Sequence, residues 1–444
     1  MKFCFALLIG KLLHLIGKPF GKSTNIPGEV ALKICPNLFG KFKFKGKILA
    51  ITGSNGKTTT ANMVAHILKS GGYSVINNAK GSNLTGGVAT TLITGSRLNG
   101  QIDADFVVLE VDERFSRLIF KDFSPDYMLV TNLFRDQLTR NGNVDVIISK
   151  LTEAIKPQTK LVLNACDPIS SLLAPENDRV YYAMDKTPLS TEKSVNITHD
   201  CKVCPKCFAP MNYEFFHYNH IGKFSCSKCG YHSADAKYEA RDVDFKNGCF
   251  SINGKKVTTN YKSAFNFLNI TAAVALCSEV GMELQKVCDA ASTFVVSKQR
   301  FDEFDIGSGR KAVMILSKNQ NPVSFDQSIS YVLEADDKKK TVIVYVNNIN
   351  HTHNKDTTWL YDISFHRLKN QVDHIICTGP RAYDLAVRLK LDHFDVDTVL
   401  VETELSELNK TIEKTKGTVY VLTELYDAKA IIDTIRDHKE GERA

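Results

Sequence analysis

Short apolar runs that end in polar residues alternate with stretches of helical periodicity through the middle of the chain. Ile48 to Ile51 is one such run; it leads into a glycine turn, and Thr58 to Lys69 then reads as a helix. Phe106 to Val111, Tyr127 to Val130 and Leu161 to Leu163 are further runs of strand length. They end at Glu110 and Asp112, at Thr131-Asn132, and at Asn164 and Asp167. This pattern predicts a parallel α/β sheet, whose ligands gather at the carboxyl ends of the strands. From Tyr238 to Thr259 the turns Asn247-Gly248 and Asn253-Gly254 separate alternating residues and predict hairpins. A helix is expected from Ser263 to Val280. A new unit begins around Ser297 to Gly309, with strands at Thr341–Val346, His374–Cys377 and Val419–Leu422 and helices at Arg381–Leu391 and Ala428–His438. The expected organisation is a helical segment over 1–45, a central α/β domain over 46–297 interrupted at about 198–235 by a cysteine-rich insertion, and a smaller Rossmann-like α/β domain over 298–444.

The N-terminus follows a different pattern. Phe3 to Ile9 is apolar, Lys11 interrupts, and Leu12-Leu13 and Leu15-Ile16 follow. At helical spacing Lys11, His14 and Lys18 share one face, with leucines opposite. Such a helix packs on its own domain, or lies on a membrane surface or a partner; packing on the domain is the commoner arrangement and the one expected. Gly17-Lys18-Pro19 makes a poor signal-peptide cleavage site. No run reaches the roughly 18 apolar residues that cross a bilayer.

Composition narrows the picture slightly. A length of 444 residues suggests two or three domains, and 43% hydrophobic with 24% charged residues is ordinary for a globular protein. The net charge of +7 suits phosphate-rich ligands or an anionic surface. It falls short of the basic clustering of a nucleic-acid binder. Of twelve cysteines, Cys201, Cys204, Cys207, Cys226 and Cys229 are clustered and the rest are scattered, as in a reducing cytosol.

The turn after the first strand carries the first candidate chemistry. Thr52-Gly53-Ser54-Asn55-Gly56-Lys57-Thr58-Thr59 stands between strand and helix. Glycines let backbone N–H groups turn toward phosphates, and the helix N-terminus adds its dipole. Lys57 can reach the terminal phosphates and the Thr58 hydroxyl can hold Mg²⁺. The general phosphate-loop pattern has four residues between its glycines; this chain has two, Ser54 and Asn55.

Cys204-x₂-Cys207 and Cys226-x₂-Cys229 form a second candidate site. Two such pairs can close a tetrahedral Zn²⁺ site with no open position, and hence a structural one. Cys201 offers a competing register with Cys204, and His217, His220 and His232 lie nearby, where surface histidines are the commoner case. A zinc ribbon also raises nucleic-acid binding as a rival function. The modest charge and the ligand spacing argue against it, and Lys202, Lys206, Lys223 and Lys228 read as a solvated face.

The variant loop T-G-S-N-G-K-T resembles that of the Mur ligase superfamily, which joins a carboxylate to an amine through an acyl phosphate. By that resemblance Glu110 matches a Mg²⁺-binding glutamate, Asn164 and Asp167-Pro168 a nucleotide-side segment, and Asn266 and Asn269 a helix near the adenine. With 51 residues before Thr52, a UDP-sugar-binding domain does not fit ahead of the loop. Gly21-Lys22-Ser23 with Pro27 to Leu32, Asn132 to Leu138, the four-cysteine insertion, and the segments Asp356 to Asp362 and Thr378 to Asp384 resemble the MurT subunits of lipid II isoglutaminyl synthase over nearly the whole chain. Departures from that family fall at Thr139 to Asn143, Gln299 to Asp302 and Lys318 to Pro322.

The resemblance implies a Mur ligase-like ATPase domain with an inserted zinc ribbon, using ATP, Mg²⁺ and a structural Zn²⁺. The implied reaction is amidation of the D-glutamate α-carboxyl of the lipid II stem peptide to D-isoglutamine. Lys57 and Glu110 would act at the phosphate, and ammonia would come from a GatD-type glutamine amidotransferase partner. The chain has no Gly-x-Cys-x-Gly nucleophile elbow of its own. Asp356 is expected to complete or orient the partner's Cys-His pair; a loop or helix-capping carboxylate is the plainer alternative. No nucleic-acid partner is expected. The location implied is cytoplasmic, with room for peripheral contact at the inner membrane face. A folylpolyglutamate-synthase-like ligase, working alone on a free amino acid, is the alternative.

Overall fold

The computed structural model describes residues 2–79, 82–135, 144–295, 301–317, 321–347 and 357–441. The chain divides into two compact units, the first made of Met1–Arg135, Asn141–Lys193 and Cys201–Val295, the second of Ser194–Asp200 and Val296–Ala444. The N-terminal segment thus belongs to the first unit, while a short piece just ahead of the cysteines belongs to the second.

In the first unit the strands of three or more residues are β1 (Lys47–Thr52), β2 (Val75–Asn77), β3 (Phe106–Glu110), β4 (Tyr127–Val130), β5 (Lys160–Asn164), β6 (Arg179–Met184), β7 (Asn212–Tyr218), β8 (Ile221–Ser225), β9 (Tyr238–Asp244), β10 (Cys249–Ile252) and β11 (Lys255–Thr258). Nine of them form one sheet in the order β11-β10-β9-β6-β5-β4-β1-β3-β2. The core of that sheet is parallel, and β1, β3, β4 and β5 are buried along almost their whole length. Strands covered on both faces need continuous Val/Ile/Leu runs rather than alternation, which is why these four are legible as apolar runs. The segment after Tyr238 does fold into antiparallel strands, but its first strand, β9, adds in parallel to β6, so the expected hairpins extend the main sheet. Strand β6, which the apolar pattern does not mark, forms this junction.

The longer helices of the unit among the described residues are α1 (Lys2–Gly17), α2 (Ile26–Ile34), α3 (Lys57–Ser70), α4 (Thr85–Gly95), α5 (Val144–Ala154), α6 (Ala264–Glu279) and α7 (Leu284–Ser292). Helix α6 is buried on every side from Asn266 to Cys277 and packs against α3, consistent with its nearly unbroken apolar sequence. Helix α1 packs on α2 and α4 as expected for a domain-bound helix. The face it uses corrects the amphipathic reading: Ala6, Leu7 and Gly10 are buried beside Lys11 and His14, and the leucine row points outward. Gly10 permits this, because a Cβ there would meet the Ile93 side chain at 3.0 Å.

The second unit holds a six-stranded sheet of β12 (Phe301–Gly307), β13 (Arg310–Leu316), β14 (Lys340–Tyr345), β15 (His374–Thr378), β16 (Val399–Glu402) and β17 (Thr418–Thr423), in the order β12-β13-β17-β14-β15-β16. It is parallel except for the β12–β13 hairpin. Helices α8 (Pro322–Glu334), α9 (Ala382–Leu391) and α10 (Leu425–Gly441) belong to it. The segment Ser194–Asp200 is tied in by Asn196, whose Nδ2 donates to Asp326 Oδ2, and by the Ile197 amide, which donates to Ser364 Oγ at 3.0 Å.

Candidate functional site

Thr52 closes β1 and Lys57 opens α3, so Gly53 to Gly56 is a turn between a buried strand and a helix N-terminus. Gly56 has φ +84°, and a Cβ there would stand 2.2 Å from Asn269 Oδ1. A Cβ on Gly53 would stand equally close to Thr131 Oγ1. The loop is braced by the chain that leaves β4. The Ser54 amide donates to the Asn132 carbonyl at 2.8 Å and the Asn55 amide to Asn132 Oδ1 at 2.9 Å. Ser54 Oγ accepts from the Phe134 amide at 2.9 Å, and Thr131 Oγ1 donates to the Asn55 carbonyl at 2.6 Å.

The side chains of Lys57, Glu113, Thr58, Glu110 and Asn83 converge at the loop. Lys57 is buried; its Nζ lies 2.9 Å from Glu113 Oε1 and donates to the Gly53 and Ser54 carbonyls. Burial raises the Glu113 carboxyl above the usual carboxylate range, and the Lys57 charge opposes that rise. Thr58 Oγ1 donates to Glu110 Oε1 at 3.0 Å, and Asn83 Nδ2 donates to the same oxygen at 2.9 Å. Asn78 fixes the Glu110 backbone from both sides, at 2.8 Å each. Glu110 Oε2 is buried and has no hydrogen-bond partner among the described residues. A free carboxylate oxygen beside a helix-N-terminal threonine hydroxyl is an oxygen-ligand set that suits Mg²⁺. The residues therefore fit a Mg²⁺–nucleotide pair: Thr58 and Glu110 would hold the metal, which neutralises phosphate charge, and Lys57 would reach the phosphates.

The remaining predicted nucleotide residues fall in two places. Thr52 is buried with its hydroxyl unpartnered among the described residues, and Thr59 is half-buried one position beyond Thr58. Asn269 lies against Gly56, and Asn266, one helical turn earlier, donates from Nδ2 to the Tyr261 carbonyl at 2.8 Å, while its buried Oδ1 has no partner among the described residues. Asn164 and Asp167 sit behind the loop. Asn164 Nδ2 donates to the Thr131 carbonyl at 3.1 Å and its Oδ1 accepts from the Cys166 amide. Asp167 is fully buried; its oxygens accept from the Leu133 amide at 2.9 Å and the Ile169 amide at 2.8 Å. Asp356, Asp136 and Gln137 lie outside the described residues. Glu113, Asn78 and Asn83 were not marked by sequence reasoning. Glu113 alone left a signal, since it follows Glu110 by three positions at the same strand end.

The four cysteines come together as the spacing predicts: all four sulfurs lie within 4.8 Å of one another. The Cys204–Cys229 and Cys207–Cys226 sulfurs are 3.6 and 3.5 Å apart. Sulfurs about 2.3 Å from a central ion stand roughly 3.8 Å apart in a tetrahedron, so the cluster fits Zn²⁺. Cys201 is buried outside it. Hairpin β7–β8 projects from this cluster back to the phosphate loop. At its tip His220 Nε2 lies 3.2 Å from Asp167 Oδ1, and its ring is 4.5 Å from the Phe134 ring. The Gly222 amide donates to the Cys166 carbonyl at 2.9 Å, and the Tyr231 hydroxyl to the Pro168 carbonyl at 2.6 Å. His217, held by Ser190 Oγ and the Met184 carbonyl, is lowered by burial to about 4. Two of the three histidines expected at the surface are thus taken into hydrogen-bonded sites, and His232 alone is exposed.

A strand-to-helix phosphate loop with a facing glutamate, on a mainly parallel sheet, defines a Mur ligase-type protein. Residues 51–228 match the Mur ligase middle domain model. The fold agrees with solved ligases of this type: a pseudomurein peptide ligase type C from Methanothermus fervidus superposes with TM-score 0.66 at 22% identity, covering 90% of this chain and 81% of that one. A MurF from Acinetobacter baumannii superposes with TM-score 0.62 at 16% identity, covering 92% and 80%. Residues 316–428 match the MurT ligase C-terminal model. A Staphylococcus aureus (strain COL) protein named lipid II isoglutaminyl synthase (glutamine-hydrolyzing) subunit MurT is 31% identical over 98% of both chains. Its Streptococcus pneumoniae namesake is 26% identical over 93% of this chain and 92% of its own. The chain belongs to the MurT family.

Proposed function

We propose that the chain is the ligase subunit of a glutamine-dependent amidase of lipid II, converting the D-glutamate α-carboxyl of the stem peptide to D-isoglutamine. A carboxylate oxygen attacks the γ-phosphorus of ATP and ADP departs, leaving an acyl phosphate. The nitrogen of ammonia then attacks the acyl carbon, phosphate leaves, and the nitrogen loses a proton to give the amide. Lys57 and the helix N-terminus offset charge on the transferring phosphoryl group, the kind of contribution that dominates phosphoryl transfer; Thr58 and Glu110 would hold Mg²⁺, which would add to it. The observation that carries this reading is the Thr58–Glu110 pair with its free carboxylate oxygen, in a chain that matches the MurT subunits end to end.

In this reading ammonia comes from a GatD-type glutaminase, Asp356 serves that partner's Cys-His pair, Zn²⁺ holds the four cysteines, and the enzyme works in the cytoplasm. Among the described residues no helix is long and apolar enough to cross a membrane. The test is ADP release and amide formation on lipid II by the purified chain, first with ammonium, then with the glutaminase plus glutamine. Amide in both settings supports the reading. Turnover with folate and glutamate but none with lipid II replaces it with the polyglutamating alternative. Asp356→Asn should lower glutamine-driven amidation and spare the ammonium-driven reaction; equal loss of both would exclude the partner-facing role.

A further inference from the structure

Helix α1 is apolar on two faces, and the first unit covers one of them. Ala6, Leu7 and Gly10 are buried, and Phe3 packs edge-on against Phe42 at 5.7 Å. Lys11 lies on this inner side: its Nζ donates to the Ser96 carbonyl at 2.6 Å and the Thr94 carbonyl at 3.4 Å. His14 Nδ1 lies 2.9 Å from the Ser23 carbonyl. Two polar anchors therefore fix the rotation of the helix about its axis.

That rotation leaves Phe5, Leu8, Leu12, Leu15 and Ile16 each at least half exposed, and Phe20 just beyond the helix at 73%. At about 100° per residue the five helical positions fall within a stripe roughly 100° wide. Single exposed apolar residues are ordinary; a continuous row of large ones marks a contact surface.

Charge decides what the stripe meets. No acidic residue precedes Glu29, and Lys2, Lys18 and Lys22 are exposed at the two ends of the stripe. Residues 1–102 contain thirteen Lys and Arg against the single carboxylate of Glu29, whereas residues 103–444 contain 43 against 48. The chain's positive charge is therefore concentrated in its N-terminal quarter. Two copies packed stripe to stripe would bring these lysines together with no carboxylate to pair them. An anionic lipid surface takes both features: acyl chains receive the apolar row, and headgroups receive the lysines.

We propose that α1 is a membrane-docking helix that lies in the interface of an anionic bilayer through Phe5, Leu8, Leu12, Leu15 and Ile16, flanked by Lys2, Lys18 and Lys22. This deepens the reading of a lipid-linked substrate, but lipid binding is measured without turnover, so either can fail alone.

The experiment is co-sedimentation of the full chain with vesicles of phosphatidylcholine, with and without one-third phosphatidylglycerol. Binding should be roughly a hundredfold stronger to the anionic vesicles, because three lysines each add attraction near a charged surface, and it should weaken with salt. The exposed triple variant Leu8→Glu, Leu12→Glu, Leu15→Glu should lose that binding. A milder Leu12→Gln, Leu15→Gln variant should lose part of it, and both should keep wild-type melting and ammonium-driven turnover on a water-soluble stem-peptide analogue. Absence of vesicle binding by wild type, or equal binding by wild type and the triple variant, overturns the proposal. So does a triple variant that keeps lipid binding but loses self-association or capture of the glutaminase, which would assign the stripe to a protein partner.

Discussion

The phosphate loop and the four-cysteine cluster lie in the same unit and are both built from tight turns at fixed spacing, yet they are held in opposite ways. The loop is fixed by the protein itself: backbone bonds to Asn132 and Phe134, a close approach of Gly56 to Asn269, and the Lys57–Glu113 pair. In the cluster, backbone bonds shape each knuckle separately, whereas the two knuckles bring their four sulfurs together through sulfur–sulfur contacts of 3.5–3.6 Å. With Zn²⁺ bound, as proposed, the ion would supply much of the free energy that joins the knuckles, and folding of the module and metal binding would be one equilibrium. A site held by packing should tolerate loss of its ligand and fail when a side chain is changed. A site held by an ion should fail when the ion is removed.

The largest effect is expected at Lys57. Its loss removes charge stabilisation at the transferring phosphoryl, a contribution of about 10² to 10³ in turnover for a group of this kind. It also strands a buried carboxylate. Breaking one partner from a buried pair costs about 3–5 kcal/mol, although Glu113, already raised by burial, can take up a proton and soften that cost. The double variant Lys57→Met, Glu113→Gln should therefore fold nearly as well as wild type and still release almost no ADP. Restored turnover in the double variant would show that Lys57 matters to the fold and not to the phosphate.

Removal of zinc comes next, because the two sites are joined. The hairpin that rises from the cysteines ends at His220, which bonds Asp167; Asp167 holds the Leu133 amide, and the next residue, Phe134, holds Ser54 of the loop. Chelation, or Cys226→Ser, should raise the KM for ATP about tenfold. His220→Ala should have a similar effect with zinc retained, since one buried hydrogen bond is worth about 1–3 kcal/mol when its partner stays behind. A change in kcat alone, or an unchanged KM in both variants, would separate the module from the nucleotide site. Rescue by His220→Gln would point to the hydrogen bond rather than the ring.

What was legible in the sequence divides along the same lines. The loop and the cysteine pairs could be read because their chemistry requires neighbouring residues at set spacings, and the sheet because strands buried on both faces must be apolar throughout. The link between the sites could not. His220 and Asp167 are 53 positions apart, and nothing local distinguishes a histidine in a hairpin turn from one on the surface. Glu113 was missed for a related reason: its pairing with Lys57 depends on where α3 begins relative to the end of β3. Helix α1 misled in its rotation. Amphipathicity reports which face is apolar, whereas the helix docked through Gly10 and two polar anchors, features that a hydrophobic pattern does not weigh.

The smallest expected effect lies inside the four-cysteine module, where Phe208 in one knuckle stands at the position of Gly230 in the other. In each, the cysteine amide donates across the turn in the same way: Cys204 to the Ala209 carbonyl and Cys226 to the Tyr231 carbonyl, both at 2.7 Å. The residue four positions after each cysteine donates back to that cysteine's carbonyl with positive φ, +71° at Gly230 and +59° at Phe208. Left-handed backbone costs an ordinary residue about 1–2 kcal/mol, and Phe208, 79% exposed, recovers little by burial. Phe208→Gly relieves that strain but adds chain entropy to the unfolded state, about 0.5–1 kcal/mol. The net gain should be about 0.5 kcal/mol, seen as slightly slower zinc loss to a competing chelator. Gly230→Ala is the reciprocal test: a Cβ there meets nothing within 4 Å, so the whole cost is backbone, about 1 kcal/mol, and zinc should be lost faster. If Phe208→Gly also speeds zinc loss, the ring contributes to the knuckle beyond its backbone conformation, and the two halves of the module are not equivalent.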